Sequence, residues 1–271
     1  MLIITLGFAA CATSGISMQT ADPASTVTSD INAFNPETDV DNRYANAFCQ
    51  IVELDNMFLW QVECPLCYYD KVTGFGDVFC SKPECDHNNP DCGGGILGKP
   101  AISYYDGKFY MLGHWPSNEN NCWMVFRIDP VSTEREVFMT IPWYEDGSMT
   151  LMRMFIHRGK IFFVNQYQSV ESGNPKEKYS LLTCDFEKHD AAELKPVFEF
   201  ESKSMYSSDL FFEGSKIYLF ANPSIDGHYK LIVWCYDTVS EETSTIADIN
   251  IDDDYFQPNG FCVTQEGEII I

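Results

Sequence analysis

The stretch Tyr104–Gly113 reads Tyr-Tyr-Asp-Gly-Lys-Phe-Tyr-Met-Leu-Gly, a tight glycine turn followed by a run of aromatic and apolar residues. A second apolar run, Trp123–Ile128, ends at Asp129, and a third begins at Arg135. Aromatic and β-branched runs of this length, bounded by turn residues, favour strands over helices. The stretch therefore predicts a unit of four short antiparallel strands.

Versions of this unit recur along most of the chain. Its first turn contains Gly or Asn and recurs at steps of 51, 52, 55 and 53 residues, at Asn56, Gly107, Gly159, Gly214 and Gly267. An Asp that ends an apolar run recurs at steps of 59, 56 and 52 residues, at Asp70, Asp129, Asp185 and Asp237. A period of about 50 residues indicates a propeller or a solenoid. We therefore predict an all-β fold, a β-propeller of four-stranded antiparallel blades. A β-sandwich also uses short strands, but it gives no reason for the repeat.

The extent of the repeat predicts an incomplete ring. About four units fit into residues 48–271, and the last residues, Gly267–Ile271, match the first strand of another. An open ring exposes apolar side chains on its terminal blades, at a cost of about 1.5–3 kcal/mol each. We therefore expect a partial propeller, truncated at the C-terminus.

The beginning of the chain suggests export. Leu2–Ala10 is an apolar run of nine residues, the length of a signal-peptide hydrophobic region, and it leads directly into Cys11. This arrangement resembles a bacterial lipoprotein signal, which implies that Cys11 is lipidated. We expect an anchor region at residues 1–20 and a flexible linker at 21–47, which is rich in Ser, Thr, Asp and Pro. The protein would lie on the extracellular face of a bacterial cell membrane, lipid-anchored, or be secreted.

The charge balance restricts the partners. Seventeen Lys and Arg residues stand against forty Asp and Glu residues, so the formal net charge is −23. Such a chain repels phosphate backbones and anionic lipid headgroups. We expect no nucleic-acid partner, membrane association only through the lipid anchor, and a monomer that binds a glycan or a protein ligand.

A loop between the first two units carries the clearest chemical pattern, C-x4-C-x-H-x4-C, at Cys80, Cys85, His87 and Cys92. Three thiols and an imidazole form a common ligand set for structural zinc, which contributes about 10–16 kcal/mol to small sites. A disulfide is the rival, at about 3 kcal/mol for a loop of this size. Free thiols are the third possibility. Cys64 and Cys67 lie upstream as accessory thiols.

At this loop the chain resembles a known family. The resemblance rests on Tyr68–Gly74, on the Cys80 to Cys92 run with Lys82-Pro83 inside it, and on Tyr104–Lys108. These segments look like the uncharacterised propeller lipoproteins of Gram-positive gut bacteria, which are related to YWTD-like propellers. The resemblance covers roughly residues 48–271 and implies export, lipid anchoring and a propeller. It implies no activity, and Cys64 and Cys67 depart from it.

The sequence leaves three functions open. A binding module would present loops and a central channel to a glycan or peptide, and four aromatic residues could stack on such a ligand: Trp115, Trp143, Tyr144 and Tyr167. A propeller-fold lyase or hydrolase acting on carbohydrate would need catalytic groups that converge on the channel. A purely structural surface protein is the third. No residue is singled out as catalytic.

Overall fold

The computed structural model describes residues 3–4, 33–46, 50–61, 65–87, 92–95, 101–113, 122–142, 147–169, 177–202, 205–225, 228–251, 261–264 and 268–270.

Sixteen strands form four sheets, and in each sheet four strands that are consecutive in the chain pair antiparallel with their neighbours. Blade 1 contains β2 (Ile51–Glu53), β3 (Met57–Trp60), β4 (Cys67–Asp70) and β5 (Gly76–Val78). Blade 2 contains β6 (Ala101–Tyr105), β7 (Lys108–Gly113), β8 (Cys122–Ile128) and β9 (Arg135–Pro142). Blade 3 contains β10 (Gly147–His157), β11 (Lys160–Ser169), β12 (Glu177–Asp185) and β13 (Lys195–Ser202). Blade 4 contains β14 (Met205–Glu213), β15 (Lys216–Ile225), β16 (His228–Asp237) and β17 (Thr243–Ile251).

Three smaller elements complete the described chain. A short helix, α1, covers Asn42–Ala45, and a 3-10 helix covers Ala191–Glu193. A fifth sheet has three strands in the order β1, β19, β18: Ile3–Ile4, Ile269–Ile270 and Cys262–Val263. No helix in the described ranges is both long and apolar enough to cross a membrane.

The sheets pack face to face in chain order. One cluster of buried side chains joins blades 1 and 2, a second joins blades 2 and 3, and a third joins blades 3 and 4. A fourth cluster joins blade 4 to Val263 and Ile269 of the fifth sheet. A sandwich of two sheets has one such interface, whereas a series of sheets that each bury both faces is the arrangement of propeller blades. The predicted β-propeller is confirmed, with four blades and part of another.

The second strand of a blade shows why its residues are apolar without interruption: alternate side chains contact the two neighbouring blades. In β7, Phe109 and Met111 face blade 1, whereas Tyr110 and Leu112 face blade 3. Side chains of a strand alternate between faces, so a continuous apolar run is required where both faces are covered. The last strand lies at the outer edge of its blade, and β17 is accordingly mostly exposed.

The two sequence markers lie at the same end of each blade. Gly107, Gly159 and Gly214 form the turn between the first and second strands, with φ of 73°, 78° and 57°. Positive φ is accessible to glycine at little steric cost. The third strand ends at the Asp, whose carboxylate accepts backbone N–H bonds from the following turn, as Asp129 does from Val131 (2.9 Å) and Ser132 (2.8 Å). The recurring Asp therefore stabilises the outer turn.

Residues 33–46, which we call the strap, contact the first, inner strand or the turn that follows it in three blades. The carbonyl of Glu37 accepts a bond from the Asp106 N–H of blade 2, and that of Thr38 accepts one from the Arg158 N–H of blade 3. Helix α1 then lies against the inner strand of blade 4 through Asn42. The predicted linker, residues 21–47, thus includes a segment that packs on the blades; its other residues, 21–32 and 47, lie outside the described ranges.

Candidate metal centre and axial cleft

The four residues of the cysteine loop converge. One ligand atom from each of Cys80, Cys85, His87 and Cys92 lies within 4.8 Å of the other three, and His87 Nδ1 is 3.4 Å from Cys92 Sγ. Tetrahedral zinc, with bonds of about 2.0–2.3 Å, places neighbouring ligand atoms roughly 3.5–3.8 Å apart. The four residues can therefore hold a metal ion after only a small contraction.

The backbone of the loop is turned back on itself at two positions. Glu84 and His87 have φ of 59° and 57°, the left-handed region that non-glycine residues rarely adopt. Each such residue costs about 1–3 kcal/mol and persists only where surrounding contacts hold it. These turns bring His87 back toward the three thiols, which are spread over 13 residues of sequence.

The loop is anchored to blade 2 at its beginning and at its end. Ser81 N–H donates to Thr133 Oγ1 (2.8 Å), and the Ser81 hydroxyl donates to the carbonyl of Ser132 (2.7 Å). After Cys92, the chain passes so close to blade 2 that a Cβ on Gly93 would lie 2.0 Å from the Thr133 carbonyl oxygen.

Blade 1 holds the same loop from the other side. The N–H of Leu66 donates to the carbonyl of Gly94 (2.9 Å), and the N–H of Phe79 donates to that of Leu66 (2.8 Å). Phe79 is itself buried between blades 1 and 2. The metal-ligand group therefore lies in a connection that contacts both of the first two blades.

The thiols differ in their surroundings. The backbone N–H of His87 is the main influence that lowers the pKa of Cys85, whereas burial raises the pKa of Cys92 to about 12. Hydrogen bonds with the Cys80 and Cys85 thiols add to the rise for Cys92, because they favour its protonated form. A divalent cation would supply the opposite charge that three adjacent thiolates need.

The other predicted cysteines have different outcomes. Cys67 lies in β4, donates from Sγ to the carbonyl of Pro65 (3.2 Å) and is not a member of the ligand group. Cys64 and Cys11 lie outside the described residues. Within the described chain, every cysteine is a free thiol rather than half of a disulfide.

A cleft of about 490 Å³ lies between the strap and the inner parts of blades 1 and 2. Its walls include apolar side chains of the strap, such as Pro36 and Val40, and of the blades, such as Leu54 and Ile102. The volume is in the range of small-ligand sites, about 300–1,000 Å³. The strap thus occupies part of the axial region and leaves this cleft beside it.

One carboxylate organises the polar side of the cleft. Glu53 accepts from Lys71 Nζ (2.7 Å) and from the Tyr44 hydroxyl (2.9 Å), and Arg43 Nη2 lies 2.8 Å from it. Lys71, and then Tyr44, hold the pKa of Glu53 below its usual value. Lys71 Nζ also donates to the Leu54 carbonyl (2.7 Å).

Sequence reasoning missed this cleft. Its polar residues come from the strap, from β2 and from the turn after β4, and no motif links them along the chain. Of the predicted stacking residues, Tyr167 lies in β11 opposite Met149 and Lys178, one strand removed from the inner edge of its blade. Trp115, Trp143 and Tyr144 lie outside the described residues.

Among known proteins, only solved structures are similar to this chain. No protein-family model matches the chain, and no curated protein matches it. TolB from Acinetobacter baumannii is 13% identical, with a TM-score of 0.42 over 78% of this chain and 44% of that one. A prolyl endopeptidase structure is 12% identical, with a TM-score of 0.43 over 79% and 30%. The WD40 domain of SCAP from fission yeast is 10% identical, with a TM-score of 0.30 over 75% and 51%. The chain thus spans about half or less of each of these solved chains.

Proposed function

We propose that this protein is an interaction module, a β-propeller that binds a glycan or peptide ligand in the axial cleft. The observation that carries the proposal is the cleft itself, which has apolar walls and a fixed polar cluster around Glu53. Such a combination of shape and a few oriented polar groups is typical of ligand sites.

Glu53, the carboxylate at the centre of the polar cluster, is unsuited to the acid role in glycoside hydrolysis, the main alternative function. Glycoside hydrolysis needs one carboxyl group that stays protonated near neutral pH, which requires a raised pKa. In the cleft, the pKa of Glu53 is lowered by Lys71, and Asp41 is ion-paired with Arg43 at 2.6 Å. The carboxylate of Glu53 is therefore stabilised in the charged form.

A ligand screen tests this proposal. We expect oligosaccharides or short peptides to perturb the NMR signals of Tyr44, Ile51 and Ile102 on the full chain. A purely structural protein would give no saturable change with either class. Tyr44→Phe removes one bond to Glu53 and should weaken binding, whereas Tyr229→Phe, on blade 4, provides a control away from the cleft.

We further propose that the cysteine loop binds a structural zinc ion. Its support is the convergence of Cys80, Cys85, His87 and Cys92 on one point. Four protein ligands would complete a tetrahedral site, which is typical of structural rather than catalytic zinc. In this role the ion holds together the connection between blades 1 and 2.

Metal analysis of protein purified without reductant tests the zinc proposal. We expect one zinc per chain, and its loss together with a lower unfolding temperature in Cys92→Ser. Cys262→Ser, which changes an exposed cysteine outside the group, should keep the metal. Protein without metal and with two fewer titratable thiols would support the disulfide instead.

We also propose that the protein is exported and tethered through Cys11, as its N-terminal sequence suggests. Labelled fatty acid should be incorporated into the intact protein in a bacterial host and not into Cys11→Ser. Equal incorporation into both proteins, or into neither, would contradict the anchor.

A further inference from the structure

The walls of the axial cleft carry more negative than positive charge. Its lining includes five carboxylates, from Glu37, Asp39, Asp41, Glu53 and Asp55, and only two cations, from Arg43 and Lys71. An acidic cleft in a chain of net charge −23 attracts cations and repels anions.

Both cations of the lining are already held by acids of the same cleft. Arg43 Nη2 lies 2.6 Å from Asp41 and 2.8 Å from Glu53, and Lys71 Nζ lies 2.7 Å from Glu53. Lys71 also lies 4.2 Å from the centre of the Phe58 ring. Neither cation is therefore placed to receive an anionic ligand.

The remaining acids have different surroundings. Asp39 is paired with Arg158 through two bonds of 2.8 Å. Glu37 and Asp55 are exposed, and no cation of the described chain lies within ion-pair distance of either carboxylate. These two charges remain available to a ligand.

An aromatic ring lies next to one of these charges. Tyr104 lines the cleft, and burial raises its pKa, with Glu37 and then Asp106 contributing further. The Glu37 carbonyl also accepts a bond from the Asp106 N–H (3.4 Å), two residues after Tyr104, so Glu37 lies beside this part of blade 2. A carboxylate beside an aromatic ring suits an organic cation, which gains both charge attraction and a contact with the ring.

We propose that the ligand of the cleft is a peptide that inserts a Lys or Arg side chain, with its cationic end near Glu37 and Asp55 and its methylene groups along the apolar walls. Long basic side chains combine such an apolar stem with a charged end. This inference rests on the proposed binding function and names the ligand class.

Calorimetric titration of the full chain tests the ligand class. The probes are acetyl-Gly-Lys-Gly-amide, its Arg analogue, the isosteric norleucine peptide, the Glu peptide and maltotriose. We expect saturable binding of the Lys and Arg peptides and at least tenfold weaker binding of the other three. Raising the salt concentration should weaken the binding of the Lys and Arg peptides, because salt screens the attraction between exposed charges.

Two variants connect this binding to the cleft. The double variant Glu37→Gln, Asp55→Asn should bind the Lys peptide about tenfold more weakly. Glu242→Gln, which removes an exposed charge on blade 4, should leave the affinity for this peptide unchanged. Binding of maltotriose or the norleucine peptide at equal or greater strength would overturn the cation proposal and leave the binding module standing. If no probe binds, both proposals fail.

Discussion

The side-chain amide of Asn42 pairs with the backbone of Phe212 in both directions. Asn42 Nδ2 donates to the Phe212 carbonyl (2.7 Å), and the Phe212 N–H donates to Asn42 Oδ1 (2.8 Å). One turn later, Asn46 repeats the arrangement with Leu210, at 2.8 and 2.9 Å. The amides of Asn42, the first residue of α1, and Asn46, which caps its end, lie four residues apart and thus satisfy alternate residues of β14. The strap thereby supplies hydrogen bonds that a neighbouring strand would otherwise provide.

This pairing predicts the cost of removing it. Asn42→Ala leaves the Phe212 N–H and carbonyl without their partner and should lower the free energy of unfolding by about 1–3 kcal/mol. Urea unfolding measures the change. Asn250→Ala removes an exposed amide on the outer strand of blade 4 and should have little effect. Equal losses in the two variants would mean that the strap contributes nothing specific.

His157 predicts a pH dependence of stability. The ring is fully buried, accepts from the Val40 N–H at Nδ1 (3.2 Å) and therefore donates from Nε2 to the Gly214 carbonyl (2.8 Å). Burial lowers the pKa of His157 from 6.5 to about 4, although Gly214 and Asp39 act in the opposite direction. Between these pH values the unfolded chain binds more protons than the folded chain, so stability falls as the pH drops below about 6.5.

The loss of stability caused by this histidine reaches about 3 kcal/mol near pH 4, because a difference of one pKa unit corresponds to about 1.4 kcal/mol. Unfolding measured from pH 7 to pH 5 should give a weaker pH dependence in His157→Gln than in the unchanged protein. His228→Gln, which alters an exposed histidine, should retain the original slope. The same slope in all three proteins would contradict a buried neutral ring.

Lys160 and Lys195, two lysines between blades 3 and 4, should contribute unequally to the stability of the fold. Its ammonium lies 3.0 Å from Asp185 and 2.6 Å from Glu241, and its side chain is 10% exposed. Lys195 contacts the same Glu241 at 2.7 Å but is 54% exposed. Lys160→Met should cost about 1–3 kcal/mol, because it removes the largely buried cation that Asp185 and Glu241 share. Lys195→Met should cost less than about 1 kcal/mol, because an exposed ion pair is screened by water.

Chemical denaturation at low ionic strength distinguishes the two lysines. A larger loss for Lys195→Met than for Lys160→Met would contradict the ranking. The double variant tests whether the two ion pairs depend on each other through Glu241.

Replacing either of two adjacent glycines in the cysteine loop, Gly93 or Gly94, should affect zinc binding to different extents. A Cβ at position 93 would meet the Thr133 carbonyl at 2.0 Å, whereas one at position 94 would first meet a methyl group of Val78 at 2.6 Å. A side chain can move more readily than a backbone carbonyl in a packed turn. Gly93→Ala should therefore weaken zinc binding by about tenfold or more, as the loss of residues that hold metal ligands in position does. Gly94→Ala should weaken it less. Competition with a zinc chelator measures both, and the reverse order would contradict the proposed contact between this loop and blade 2.

Much of the fold was predictable because its causes are local. The apolar runs alternate faces by the geometry of a strand, and the turn glycines and the recurring Asp act on their own turns. The ligand group was predictable for the same reason, since Cys80, Cys85, His87 and Cys92 lie within one loop.

Taken alone, the sequence determined the strand period, the blade repeat, the charge and the residue types of the cysteine loop. Only the tertiary structure decided that Asn42 would pair with a strand 170 residues away and that Glu53 would meet Tyr44 and Lys71 at the edge of a cleft. The physical reason is distance along the chain. A hydrogen bond between remote segments leaves no periodic pattern, because its partners meet only after the blades have packed and positioned their inner edges.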